Sequence, residues 1–212
     1  MIRSTQFRTI GMGMVILTIL ATSCVTFFGD QDSTSLPNVP APELLLDAQP
    51  FPKGWEVDPC GPDLRRCYRE SYARRDFGRF AIPGSVMQHV YRFANVTAAK
   101  AKYQRVREVD FAKGRNEPSS EFLPPMEIAY RSPIADEYYL GCGVDIVPAC
   151  RVIFRYGHYL IDFYFDLDSY REYGLDSEGD GLKIEEIEPI LRAMDERAAA
   201  VLGLQPKSTK TR

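Results

Sequence analysis

Between Arg151 and Leu167 the chain alternates strictly enough to limit what the rest of it can fold into. Val152, Phe154 and Tyr156 alternate with Arg151 and Arg155, and Tyr159, Ile161, Phe163, Phe165 and Leu167 alternate with Asp162 and Asp166. Successive side chains on a strand point to opposite faces, so this pattern specifies two strands. Gly157-His158 separates them, with glycine at the position a type II′ turn favours, and the segment reads as a β-hairpin. Farther on, Ile184, Ile187, Ile190, Leu191, Met194, Ala198, Val201 and Leu202 recur at helical spacing and predict a C-terminal amphipathic helix. Pro189 is tolerated only near a first turn, which sets the expected start of that helix at about Glu188. The expected class is therefore α+β: an antiparallel β-sheet with a helix layer packed on at least one face.

Upstream segments add to the same architecture. Tyr68 to Phe80 and Ser85 to Phe93 read as strands joined through Ile82-Pro83-Gly84. In the second, Met87, His89, Tyr91 and Phe93 share one face while Val86 and Val90 lie on the other, so both faces should be substantially covered. Asn95 is placed to cap a helix from Val96 to about Lys113, ended by Gly114, with Ala99, Tyr103, Val106 and Asp110-Phe111 as its apolar stripe. Residues 115–125 form a proline-rich loop, and Ala135 to Cys142 a further strand. Glu43 to Ala48 allows one or two helical turns before Pro50, and Trp55, the one tryptophan, is a core or lid residue. A 45% hydrophobic chain with 12% aromatic residues can bury such a core without metals.

The amino-terminal segment is of another kind. Arg3 and Arg8 precede Ile10 to Phe28, 19 residues without a charged side chain, a targeting pattern rather than part of a fold. The apolar run Val15 to Leu20 leads through Ala21, Thr22 and Ser23 directly into Cys24. This order resembles the lipobox of bacterial lipoproteins, with Ala21 standing where leucine is usual, and the match covers residues 1–24 alone. The resemblance implies a signal peptide over residues 1–23, removed after the Cys24 thiol receives a diacylglycerol. The new amino terminus is then often acylated as well, and two or more chains anchor stably at about 0.8 kcal/mol per buried methylene. An uncleaved signal anchor is the alternative, because the uncharged run nearly reaches the ~20 residues a bilayer core requires. Simple secretion, with cleavage near Ser23, leaves Cys24 as an odd thiol.

Each alternative delivers the remainder to the extracytoplasmic face of the cell membrane or envelope. Lipidated Cys24 and a flexible tether then span residues 24–42, rich in Ser, Thr, Asp, Asn, Gly and Pro. A single α+β domain over residues 43–204 and a basic carboxy-terminal tail over residues 205–212 follow. Removing residues 1–23 takes away two arginines and no acid, moving the formal net charge from −3 to −5. A mildly acidic domain has no global electrostatic footprint for nucleic acid.

With Cys24 assigned to lipid, Cys60, Cys67, Cys142 and Cys150 remain, and outside the cytoplasm four cysteines read as two disulfides with three possible connectivities. Spacing favours Cys60 with Cys67 and Cys142 with Cys150, since each pair brackets a short segment containing glycine and proline. No pair has the two-to-four-residue gap of a zinc knuckle.

The order of elements, and Arg155-Tyr156-Gly157-His158-Tyr159 turning into an alternating strand before a closing helix, is similar to PsbP-like and other extracytoplasmic sensor or lipoprotein domains. That similarity covers Tyr138 to Leu202, rests on no unique motif and transfers no functional residue.

Three sets of side chains carry candidate chemistry. Asp176, Glu178 and Asp180, with Gly179 and Gly181, resemble the opening of a calcium loop, yet Ile187 stands where the closing bidentate glutamate belongs. A solvated acidic turn ahead of a helix explains the same residues. Arg65, Arg66, Arg69, Arg74, Arg75 and Arg79 form a basic run that suits anionic headgroups or, more simply, an ion-paired edge strand whose residues alternate faces. For catalysis, Ser85 lacks a nucleophile elbow, His89 reads as a core histidine, His158 as a turn residue, and Asp162, Asp166 and Asp168 as alternation on a half-exposed strand. No cofactor other than this incomplete calcium site is implied. The functional expectation is a membrane-tethered, non-catalytic module that binds a small ligand or an envelope protein. An envelope hydrolase and a calcium-stabilised structural protein are the alternatives.

Overall fold

The computed structural model describes residues 36–58, 67–79, 82–111, 121–144, 148–168 and 181–207. Strands β1 (Trp55–Asp58), β2 (Tyr68–Arg69), β3 (Tyr72–Arg79), β4 (Ile82–Arg92), β5 (Glu137–Val144), β6 (Pro148–Tyr156) and β7 (Tyr159–Asp166) form one sheet. Its order is β1-β3-β4-β7-β6-β5, with β2 also paired to β3. All pairings between these strands are antiparallel. Helices α1 (Val96–Val106) and α2 (Ile184–Leu202) complete the α+β architecture expected from the sequence.

Alternation decides what each helix covers. On the inner face, Phe77, Val90, Val152, Phe154, Ile161 and Phe163 are buried in one core to which α2 contributes Ile187, Ile190, Leu191, Met194, Ala198 and Leu202. Burying each such side chain is worth roughly 1.5–3 kcal/mol, which gives the helix its docking force. On the outer face a smaller cluster joins Tyr103 and Val106 of α1 with Phe111, Phe122, Ile153 and Leu160. The β6–β7 hairpin turns at Gly157-His158 as expected, with Tyr156 opposite Tyr159 and Gly157 at φ 53°, in the region primed turns need.

Several boundaries differ from the sequence reading. The expected connection Ile82-Pro83-Gly84 belongs to β4. The β3–β4 ladder shifts register between Phe77 and Arg79, and β7 pairs with β4 only from Val86, so Pro83 sits where a missing N–H is tolerated. Helix α1 is capped by Asn95, whose side chain accepts from the Ala98 N–H at 2.9 Å, but it ends at Val106 and passes into a π-turn over Arg107–Phe111. The last described strand before the hairpin, β5, begins at Glu137 rather than Ala135 and runs on to Val144. Helix α2 starts at Ile184, before the expected Glu188. The Lys183 N–H donates to Glu186 Oε2 at 2.9 Å and the Glu186 N–H to the Lys183 carbonyl at 3.0 Å, which closes the first turn. Pro189 thereby falls in the second turn, on the exposed side.

The expected tether over residues 24–42 is packed from Leu36 onward. The Val39 N–H donates to Tyr159 Oη at 2.7 Å, that hydroxyl lies 2.9 Å from the Val39 carbonyl, and Ala41 is fully buried. Pro37, Pro40 and Pro42 here hold an extended path and a 3-10 turn (Ala41–Leu44) against the sheet. At the other end, the expected tail is held as far as Lys207, whose N–H donates to the Pro133 carbonyl at 2.9 Å and whose Nζ donates to the Ala135 carbonyl at 2.6 Å. Trp55 is a core residue, 4% exposed and stacked on Phe51. Among the described residues no helix is long and apolar enough to cross a membrane.

Candidate functional site

Adjacent arginines on β3 point to opposite faces, and their fates differ. Outward-facing Arg74 holds Asp76 through Nη2 at 2.8 Å. On the same face Arg151 grips Asp162 with two parallel bonds of 2.8 and 2.6 Å, so Asp162 is a buried, paired carboxylate rather than one on a half-exposed strand. Arg155, also buried, pairs with Asp136 at 3.1 Å and with Glu137, and Arg92 pairs with Glu70 at 2.7 Å. His89 stands between these pairs, opposite Arg74 on one side and Asp162 on the other. Its Nδ1 lies 3.1 Å from the Tyr91 hydroxyl and its Nε2 is buried without a hydrogen-bond partner. Burial lowers the His89 pKa below the ordinary 6.5, with Asp162 opposing and Arg74 adding to the shift.

Inward-facing Arg75 has no such partner. It donates through Nη1 to the Leu46 carbonyl, its Nε is buried without a hydrogen-bond partner, and among the described residues no carboxylate pairs with it. The segment it meets is fixed by β4. Gln88, fully buried, accepts from the Leu46 N–H at 2.8 Å and donates to the Leu44 carbonyl at 3.2 Å. One amide side chain thus satisfies two backbone groups of a non-regular strand lying across the sheet, where unmet they would be costly.

Arg75 lines a cavity of about 490 Å³ between this segment and α2. Leu45, Leu46, Pro50 and Ala193 give it apolar wall, and Asp47, Glu196 and Arg197 bring three more charges. Arg197 donates through Nε to the Glu43 carbonyl at 2.8 Å, with the Glu43 carboxylate 3.9 Å from Nη2. Asp47 accepts from the Gln49 N–H at 3.0 Å. The cavity therefore presents two carboxylates and two guanidinia, of which Arg75 has no counter-ion among the described residues.

The position of α2, and with it that wall, is set by a second buried polar group. Asp195 is 4% exposed and accepts from Tyr156 Oη at 2.6 Å, Ser132 Oγ at 2.8 Å and the Tyr130 hydroxyl. Burial first, and the facing carboxylate after it, push both tyrosines well above their ordinary pKa, so both remain hydrogen-bond donors. The three hydroxyls come from the end of β6 and from the segment at residues 130–132.

Of the residues singled out in the sequence, Cys142 and Cys150 are disulfide-bonded and lie directly opposite one another on β5 and β6. Cys67 is disulfide-bonded as well. Cys24, Cys60, Arg65, Arg66, Asp176, Glu178 and Asp180 lie outside the described residues, as do the side chains of Arg79 and Ser85. Among the described residues no group of three or more His, Cys, Asp or Glu side chains is placed to hold a metal ion. His158 occupies the hairpin turn, where its carbonyl accepts from the Phe93 N–H at 2.9 Å.

Sequence reading took Arg75 as one member of a basic run and passed over Gln88 and Asp195. Both leave a trace: Gln88 interrupts the Val86, Val90 apolar face, and Asp195 falls within the Leu191, Met194, Ala198 stripe. No family model matches the chain, and neither a curated protein nor a solved structure matches it.

Proposed function

We propose that the chain is a membrane-tethered extracytoplasmic lipoprotein, anchored through Cys24, whose domain is a non-catalytic module that binds a small ligand in the Arg75 cavity. The observation that carries the binding reading is a guanidinium that lines a cavity of about 490 Å³ and has no carboxylate partner among the described residues. Small-ligand sites are commonly clefts of about 300–1,000 Å³ with a few fixed polar groups. A sunken charge without a counter-ion is unfavourable until something supplies one. The extracytoplasmic address is supported by the lipobox-like residues 21–24 and by cysteines bonded as disulfides, which persist in oxidising compartments.

The hydrolase alternative asks for a nucleophile activated by His89. His89 and Asp162 are cross-strand neighbours, but both Asp162 oxygens are taken by Arg151, and the hydroxyl at the imidazole belongs to Tyr91. That arrangement orients an ion pair rather than a base.

Two measurements test the proposal. Intact mass of membrane-extracted protein, beside a Cys24→Ala variant, should reveal a lipid increment and loss of residues 1–23 only with Cys24 present. Retention of residues 1–23 without lipid would overturn the anchor. Backbone and arginine side-chain NMR of the full chain in detergent, titrated with small carboxylates, amino acids and phosphate, should shift signals confined to residues 45–50, Arg75 and residues 193–197. If no probe moves them, the cavity is not the binding element.

A further inference from the structure

We infer that the ligand of the Arg75 cavity is a small zwitterion, an α-amino acid or a dipeptide, with its carboxylate on Arg75 and its ammonium group toward Asp47 and Glu196. The inference rests on the cavity being the binding element proposed above.

Arg75 supplies the anion-seeking half. A guanidinium carries five N–H donors in a planar fork that matches a carboxylate with two parallel bonds. Arg74, Arg92, Arg151 and Arg155 each already hold such a carboxylate from within the chain. Arg75 spends one donor on the Leu46 carbonyl, and its guanidinium lines the cavity with no carboxylate partner among the described residues.

The other wall charges decide between classes of anion. Asp47 and Glu196 line the same cavity, and Glu196 has no ion-pair or hydrogen-bond partner within the described chain. A phosphate or a dicarboxylate reaching Arg75 would bring surplus negative charge toward both acids. A simple amine would leave Arg75 without its counter-ion. A ligand bearing one charge of each sign meets both demands, and Arg197, the other cation of the lining, already has the Glu43 carboxylate 3.9 Å from Nη2. The volume accommodates a dipeptide, and Pro50 and Ala193, both partly exposed, offer apolar surface to a side chain.

Calorimetric titration of the full chain in detergent tests this with L-leucine and Gly-Leu against N-acetyl-leucine, which lacks the ammonium group, leucinamide, which lacks the carboxylate, and succinate and inorganic phosphate. The zwitterions should bind at least about tenfold more tightly than the other four, the loss expected when a charged hydrogen bond is removed. Arg75→Lys should weaken the zwitterions about tenfold by removing the planar fork. Glu196→Gln, at an exposed helix position that leaves the fold intact, should narrow the gap between leucine and N-acetyl-leucine. Binding of succinate or phosphate as tightly as the zwitterions overturns the ligand class while leaving the cavity as the binding element. A Glu196→Gln protein with an unchanged gap also overturns it. Silence from every probe overturns both.

Discussion

Replacing Asp195 by alanine tests whether buried hydroxyls hold α2, and so the cavity wall, in place. Three donors, from Tyr130, Tyr156 and Ser132, converge on this carboxylate. Hydrogen bonds to a charged group contribute about 1.5–3 kcal/mol each, but removing the buried charge also removes a desolvation penalty of several kcal/mol. The balance is a loss of about 3 kcal/mol, because up to three buried hydroxyls lose their acceptor at once. In a domain of this size that corresponds to a fall in Tm of about 6–12 °C. Guanidinium unfolding is readable through Trp55, the single tryptophan, which is 4% exposed. Asp195→Asn keeps one acceptor oxygen and should lose less, as should Tyr130→Phe and Tyr156→Phe singly. Double-mutant cycles between Asp195→Ala and either tyrosine variant should give coupling of about 1 kcal/mol or more. An Asp195→Ala loss under about 1 kcal/mol, or strictly additive cycles, would refute the idea that these groups act as one anchor.

Four further outcomes follow from individual contacts. The Cys142→Ser/Cys150→Ser double variant, which opens a link of sequence separation 8, should lose about 2.5 kcal/mol by the chain-entropy relation, read as a lower denaturant midpoint. His89 has a folded-state pKa lowered by burial, so the unfolded chain protonates first and stability should decline as pH falls through and below 6.5. His89→Phe in a His158→Asn background, which removes the second lowered imidazole, should flatten Tm between pH 7.5 and 5.5, and an undiminished slope would contradict the assignment. Gly141→Ala places a Cβ 2.6 Å from the Phe122 carbonyl oxygen and 2.9 Å from the Phe111 ring, so a loss of about 1–3 kcal/mol is expected in chemical unfolding. Arg75→Met should move Tm by no more than about 3 °C while abolishing ligand-induced shifts, because removing a charge without a counter-ion offsets the loss of its one bond to the Leu46 carbonyl.

Legibility in the sequence follows the range over which each signal acts. The β6–β7 hairpin and the α2 stripe were readable because alternation and helical spacing are properties of neighbours. The Asn95 cap was readable for the same reason, since its partner is the Ala98 N–H three residues on. The path of residues 36–42 was not: a run of prolines reads alike as a tether or as an extended segment, and what pins it is a Tyr159 hydroxyl 120 residues away from Val39. The start of α2 was missed because Pro189 was weighed alone, without the reciprocal Lys183–Glu186 bonds that secure the first turn. Arg75 and Gln88 were illegible as a site for a related reason. Their meaning depends on the Leu44–Leu46 backbone, 42 residues from Gln88 at Leu46, passing over them.

Charge placement on the two faces of the sheet then narrows where function can reside. On the outer face Arg74–Asp76 and Arg151–Asp162 are complete within the chain, and His89 sits among them with a lowered basicity and no free carboxylate. A face so internally satisfied gains little from a charged ligand, because each new contact would have to displace an existing bidentate one. The inner face beneath α2 is apolar apart from the Asp195 cluster, and Arg75 stands where that cover gives way to the cavity. Gln88 satisfies the backbone that forms the cavity's rim, and Asp195 fixes the helix that forms its wall. Two fully engaged polar side chains thus hold the surroundings of a third that is only partly engaged. Rigid support around an unmet charge is the arrangement in which a ligand gains most from preorganisation, since the groups that receive it need no further ordering.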